Sequence, residues 1–237
     1  MNLKLSLEQL IAELKQLGNS DVIKTKTKKF GIIANNALGV YQKDLKILAK
    51  SIGYNDALAV QLFDTGIYEA RLLCSKIYHP KHLTEHQMDA WVNTFENWEI
   101  CDSFCMGLFA PSQFALAKAL EWASSDAEFV KRAGFVIMAA YGFSHKNAVN
   151  TVFLSFFPIM LREACDDRKY VSKAINWALR QVGKRNPDLR LAAIETARQM
   201  LQLESKSAKW VAKDALKELE STNVAMLNYP RSLYGAK

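Results

Sequence analysis

The chain has 237 residues, 50% of them hydrophobic and 23% charged, which is enough apolar material to bury a sizeable core in one domain and excludes a disordered polypeptide. Lys and Arg number 31 against 24 Asp and Glu, a net charge of +7 that draws anions and favours nucleic acid or an anionic membrane as partner; a basic but inert surface is the competing reading. The four cysteines, Cys74, Cys101, Cys105 and Cys165, form no C-x-x-C pair, which argues against a disulfide framework and for thiols in a reducing compartment.

In chain order, residues 1–10 read as an amphipathic helix interrupted by Lys4 and Glu8, without the continuous apolar stretch of a signal peptide. Leu7, Leu10, Ile11 and Leu14 mark its apolar stripe, and Leu17-Gly18-Asn19 a turn. Lys24, Lys26, Lys28 and Lys29 form a basic run that reads as a solvated helix end, with a contact to the edge of DNA as the sharper alternative. Leu45, Leu48 and Ala49 mark the next stripe, ended by Ser51-Ile52-Gly53. His79, His82 and His86 near Cys74 have no standard zinc-ligand spacing, so no metal site is expected. Cys101 and Cys105 lie one helical turn apart with no histidine nearby in the sequence, as expected of buried inert thiols. The apolar tract 149–161 is interrupted by Asn150, Thr151, Ser155 and Pro158 and is too short to span a bilayer, which places the protein in the cytoplasm. Asn186-Pro187-Asp188 reads as a turn, and Leu191, Ile194, Ala197 and Leu201 as a third stripe. Strand alternation is absent, so an all-α fold of one domain over residues 1–237 is predicted.

Four segments stack as a faint internal repeat: Tyr68-Glu69-Ala70-Arg71-Leu72-Leu73, Phe129-Val130-Lys131-Arg132-Ala133-Gly134, Tyr170-Val171-Ser172-Lys173-Ala174-Ile175 and Ser207-Ala208-Lys209-Trp210-Val211-Ala212. Each is predicted to open an apolar helix. Lys173 follows Arg132 by 41 residues and Lys209 follows Lys173 by 36, close to the roughly 40-residue period of HEAT-type helix pairs. Such pairs stack into a curved solenoid, and recurring basic residues would line its concave face; alternatively these Lys and Arg are the solvated ends of buried helices.

The most informative segment is Asn97-Trp98-Glu99-Ile100-Cys101-Asp102-Ser103, because Trp98 and Asp102 are four residues apart and share a face if the stretch is helical. An indole wall beside a single carboxylate is what a site for a cationic base needs. Each residue alone is more often structural, Trp98 as a core aromatic and Asp102 as a solvent-facing helix residue.

These residues resemble the AlkD-like DNA alkylation repair proteins, which are HEAT-like helical DNA glycosylases. The resemblance runs from about Phe30 to Leu219. It rests on Asn97 to Asp102, on Val130-Lys131-Arg132-Ala133, on Lys173-Ala174-Ile175-Asn176-Trp177-Ala178-Leu179-Arg180 and on Lys184-Arg185-Asn186-Pro187-Asp188, in that order and spacing. It implies a monomeric enzyme that excises positively charged N3- or N7-alkylated purines from double-stranded DNA, without a metal or organic cofactor. By matching position, Asp102 corresponds to the catalytic carboxylate, Trp98 and Trp177 to the aromatic groups facing the lesion, and Arg132 to the residue holding the backbone near it. Lys43, Lys46, Lys131, Lys173, Arg180, Lys184 and Lys209 are further candidates for phosphate contacts. Two departures stand out. Family members often carry Thr-Pro or Val-Pro after the Leu-Gly pair, whereas Leu38-Gly39-Val40-Tyr41 continues as Gln42-Lys43, so the docking of that turn is not carried over. Glu99 stands where an Asp is often found. Some relatives of this fold lack the aromatic and acidic set; this chain keeps it. A module that binds DNA or a protein partner without catalysis is the alternative from a different functional class.

Overall fold

The computed structural model describes residues 5–235, all helix, turn and loop, with no β-strand among them. The chain divides into two compact units, one reaching Ser112 and the other beginning at Gln113.

In the first unit the order is α1 (Leu7–Gln16), α2 (Ser20–Phe30), α3 (Gln42–Ile52), α4 (Asp56–Asp64), α5 (Tyr68–Ile77), a 3-10 turn (Pro80–His82), α6 (Glu85–Val92) and α7 (Trp98–Phe104), which runs straight into a π-helical turn (Cys105–Phe109). The helix expected over residues 1–10 begins at Leu7, where Ser6 and Gln9 cap each other's backbone N–H, and residues 1–4 of that expectation lie outside the described residues. Leu10 and Leu14 are buried, as the stripe requires. Helix α5 is buried almost all round, with Tyr68, Ala70, Leu72, Leu73, Cys74 and Ile77 joined by the polar Glu69 and Ser75, so α1, α3, α4 and α7 pack on its different faces. Phe63, Trp91, Phe95, Phe104 and Phe109 complete this core, with ring centroids 5.1–6.2 Å apart.

The turn lacking the Thr-Pro pair is held by α5. The fully buried Glu69 carboxylate accepts the Leu38, Gly39 and Val40 amides at 2.7, 2.8 and 3.3 Å, and the Asn19 amide donates to the Leu38 carbonyl at 2.9 Å. Gly39 has φ +84°, and a Cβ there would lie 2.0 Å from the Asn19 carbonyl oxygen, so both backbone sign and close approach demand glycine.

The second unit contains α8 (Ala115–Trp122), α9 (Glu128–Ser144), α10 (Asn150–Leu154), α11 (Phe156–Glu163), α12 (Lys169–Gly183), α13 (Pro187–Leu201), α14 (Lys206–Leu219) and α15 (Arg231–Tyr234). Helix α9 lies between α8 and α12, and α12 packs in turn on α13 and α14. The four repeat segments open α5, α9, α12 and α14. Tract 149–161 forms the short α10 and α11, and among the described residues no helix is long and apolar enough to cross a membrane.

One stripe is corrected. Leu191 is 69% exposed, and α13 instead buries Leu189, Ala193, Thr196, Ala197 and Met200. Close approach explains the small residue at the centre of that face: a Cβ on Gly183 would lie 2.8 Å from that of Ala193, while Leu189 and Met200 fill the space on either side.

The Lys184-Arg185-Asn186-Pro187-Asp188 segment is explained by helix ends. The fully buried Arg185 donates to the carbonyls of Gly142, His145, Lys146 and Ala148 at 2.7–3.2 Å, tying together the end of α9 and the turn after it, while its guanidinium lies 4.1 Å from the Phe153 ring centre. Asn186 caps α13 by accepting from the Leu189 amide at 3.0 Å, Pro187 occupies its first turn, and Asp188 places negative charge at the same end. A C-terminal strap closes over them: the Leu227 and Tyr229 amides donate to the Lys184 and Arg185 carbonyls at 2.8 and 2.9 Å, and Asn186 donates to the Tyr229 carbonyl at 2.8 Å.

Candidate nucleic-acid interface

Asn97 starts α7 and fixes its direction. Its side-chain oxygen accepts the Glu99 and Ile100 amides at 3.0 and 3.2 Å and the Tyr68 hydroxyl at 3.0 Å, while its amide nitrogen donates to the Ile33 carbonyl at 3.1 Å. Trp98 and Asp102 therefore occupy the same face one turn apart, both half-buried. The Trp98 Nε1–H donates to the Phe30 carbonyl at 2.9 Å, which pins the indole against the end of α2. Beside Asp102, the Ser103 hydroxyl meets that of Ser75 at 2.8 Å and accepts from Lys76 Nζ at 3.2 Å. Burial, with Lys46 adding its charge, holds the Lys76 ammonium below its ordinary pKa. The helix then widens, with the Ala110 amide reaching back five residues to the Cys105 carbonyl at 2.8 Å, a local departure that often accompanies functional sites.

Glu99 is the polar centre of this region. It accepts Lys26 Nζ at 2.8 Å, Gln42 Nε2 at 2.9 Å and the Tyr68 hydroxyl at 2.9 Å. Lys26 consequently points inward, unlike the solvated Lys24, Lys28 and Lys29 of the same run. Burial, reinforced by the negative charge of Glu99, pushes the Tyr68 phenol far above its usual pKa, so it remains a hydrogen-bond donor. Around Glu99 opens a mainly apolar cavity of about 400 Å³, walled by Val22, Phe30, Ile32, Tyr41 and Trp98.

Trp177 and Arg132 belong to the second unit. Trp177 is half-buried on α12; with the Gln181 amide turned so that its oxygen faces two donors, that oxygen accepts Trp177 Nε1 at 3.2 Å and Lys184 Nζ at 3.3 Å. Arg132 is 6% exposed and donates to the Tyr170 carbonyl at 2.7 Å, and Lys131, 8% exposed, is held by Glu163 at 2.8 Å and Asp166 at 3.2 Å. These bonds tie α9 to the end of α11, to the turn after it and to the first turn of α12. Burial alone would raise the pKa values of Glu163 and Asp166. For Glu163 the hydrogen bonds from Lys131 and Arg162 outweigh burial; for Asp166 those from Arg168 and Lys131 do, and both carboxyls lie below their ordinary range. Arg180 and Lys184 share Glu218, at 2.5 and 2.6 Å. Lys43, Lys46, Lys173 and Lys209 are exposed.

His82 Nδ1 lies 2.5 Å from Asp56, and its ring stacks on His79 with centroids 4.7 Å apart. Cys101 and Cys105 are fully buried. Sequence reasoning missed the Glu69 and Glu99 networks; the one available signal was Glu99 in the first turn of α7, which reads as an ordinary helix-end acid.

The model of the DNA alkylation repair enzyme family matches residues 10–219. No curated protein matches the sequence. Among solved structures, one described as "a new family of proteins related to the HEAT-like repeat DNA glycosylases with affinity for branched DNA structures" superposes with TM-score 0.75 at 23% identity, over 94% of this chain and 97% of that one. That likeness establishes the HEAT-like helical fold, and with a family match covering most of both units, the chain belongs to the DNA alkylation repair enzyme family.

Proposed function

We propose that the protein is a DNA glycosylase that releases cationic N3- or N7-alkylated purines from duplex DNA. The observation that carries this reading is the pairing of Trp98 and Asp102 on one face of α7, with the indole fixed by its bond to the Phe30 carbonyl. A purine alkylated at N3 or N7 already bears positive charge and is a good leaving group. As its glycosidic bond breaks, the bonding pair goes to the base and positive charge builds on the deoxyribose. The Asp102 carboxylate stabilises that charge and orients the water that attacks C1′. The face of Trp98 attracts the charged base by about 0.5–2 kcal/mol, which selects it over a neutral one. The exposed Lys43, Lys46, Lys173 and Lys209 are the phosphate contacts.

The structural neighbour's affinity for branched DNA favours a second reading, a DNA-binding module without catalysis. Incubating purified protein with methylated duplex and assaying free 7-methylguanine and 3-methyladenine separates the two. Base release above the spontaneous rate supports the glycosylase; its absence together with junction binding selects the second reading. A flat response of DNA binding to salt would speak against both, because several lysine contacts must release counterions.

A further inference from the structure

The geometry points to the cavity walled by Trp98 as a slot for an unpaired nucleobase of DNA; this rests on the reading of the protein as DNA-binding. The cavity, about 400 Å³, falls within the size range of small-molecule sites, roughly 300–1,000 Å³. Its rim holds two large aromatic side chains that face solvent although the core could have taken them: Phe30 is 55% exposed and Tyr41 48%. Neither serves the fold in a way that requires an aromatic ring. Tyr41 stands at the start of α3 without capping it through its side chain, and Phe30 closes α2 while its carbonyl holds Trp98.

Charge sorts what enters from what stays outside. The one buried acid of the lining, Glu99, is paired with Lys26 at 2.8 Å, and Asp21 stays exposed to solvent beside Lys24 at 2.9 Å, so the interior suits a planar ring of low charge. Outside it, Lys28 and Lys29 end α2, and Lys43 Nζ lies 5.4 Å from the Tyr41 ring centre. Aromatic platforms interleaved with lysines are the combination that binds unstacked bases while holding their backbone. Thr25 and Gln42 line the wall and offer hydrogen-bonding groups to a base edge. A base inside an intact duplex is stacked and paired and cannot enter, whereas one at a branch point or in a bulge can. The slot therefore supplies a preference for branched over continuous DNA from this chain's own residues.

The test measures fluorescence anisotropy of the full chain with three probes: a continuous duplex, a three-way junction with two unpaired thymines at the branch, and the same junction with abasic sites in their place. The junction with thymines is expected to bind more tightly than its abasic counterpart, by about 5- to 150-fold for one stacked base. Phe30→Ala and Tyr41→Ala should each shrink that ratio toward one while leaving duplex affinity unchanged, and Tyr41→Trp should preserve it. Both positions are exposed, so unchanged melting curves will accompany the variants. Equal binding of the two junctions by the wild type, or a ratio that survives both alanine variants, would overturn the slot while leaving the DNA reading standing. Failure to bind any of the three probes would overturn both.

Discussion

Replacing Glu69 by Gln keeps the shape of a fully buried side chain and changes only what it can accept. The carboxylate takes the Leu38 amide on one oxygen and the Gly39 and Val40 amides on the other. Whichever way a glutamine amide turns, its NH₂ faces at least one of these donors, so one short charge-assisted bond worth about 1.5–3 kcal/mol is lost and a backbone N–H is left unsatisfied, while the remaining bond weakens to that of a neutral acceptor. The net cost is about 2–4 kcal/mol, a fall in melting temperature of about 4–16 °C for a chain of this length. Thermal and urea denaturation followed by circular dichroism measure it. Because this turn delivers Tyr41 and Gln42 to the cavity, the emission of Trp98 should also shift in the folded variant, with Trp98→Phe identifying which tryptophan reports. A Glu69→Gln protein that melts within about 1 °C of the wild type would show that the turn is held by other contacts, and the account of how the chain manages without a Thr-Pro pair would fail.

Asp102→Asn should abolish base release in single-turnover assays while leaving duplex affinity within about twofold, since its charge acts as the bond breaks; an undiminished rate would remove Asp102 from the chemistry. Trp98→Leu should slow excision of 7-methylguanine by about five- to thirtyfold, with smaller losses for neutral lesions, corresponding to about 1–2 kcal/mol of cation–π attraction. Melting curves belong beside the Trp98 variant, which also loses the bond to Phe30. Glu163 and Asp166 have depressed pKa values in the folded state, so their stabilising contribution is present above the ordinary values of 4.5 and 3.8 and is lost as pH falls through the lower folded values. Lys131→Met should flatten that acid limb of the stability curve, and an unchanged limb would show that the Lys131 cluster does not govern it.

The helices were legible because their starts are written locally. The turn read at Asn186-Pro187-Asp188 falls where α13 starts, and the apolar openings of α5, α9, α12 and α14 recur at a helical-repeat period, whereas the capping role of Asn97 before Trp98 emerged only from the structure. The placement of Trp98 and Asp102 on one face followed from spacing alone. What stayed hidden depends on partners distant in sequence. Lys131 looks like any surface lysine until Glu163 and Asp166 are brought to it, and Lys26 looks like its neighbours Lys24 and Lys28 until Glu99 turns it inward. Leu191 misled because α13 carries apolar residues on two sides, and the side that packs is the one on which Ala193 allows close approach to Gly183 of α12.

The family match stops at residue 219, yet residues 227–229 fasten onto the joint between α12 and α13. A minimal fragment drawn at the family boundary would strip the Lys184 and Arg185 carbonyls of their donors and uncover the edge of a guanidinium that is otherwise 1% exposed. Biochemistry on such a fragment would report a softened second half, and a weak signal there would be a property of the cut, not of the whole protein. The tail also sets where labels can go: a fluorophore at the exposed Cys165 leaves this clasp untouched, whereas one attached near Tyr229 would sit in it.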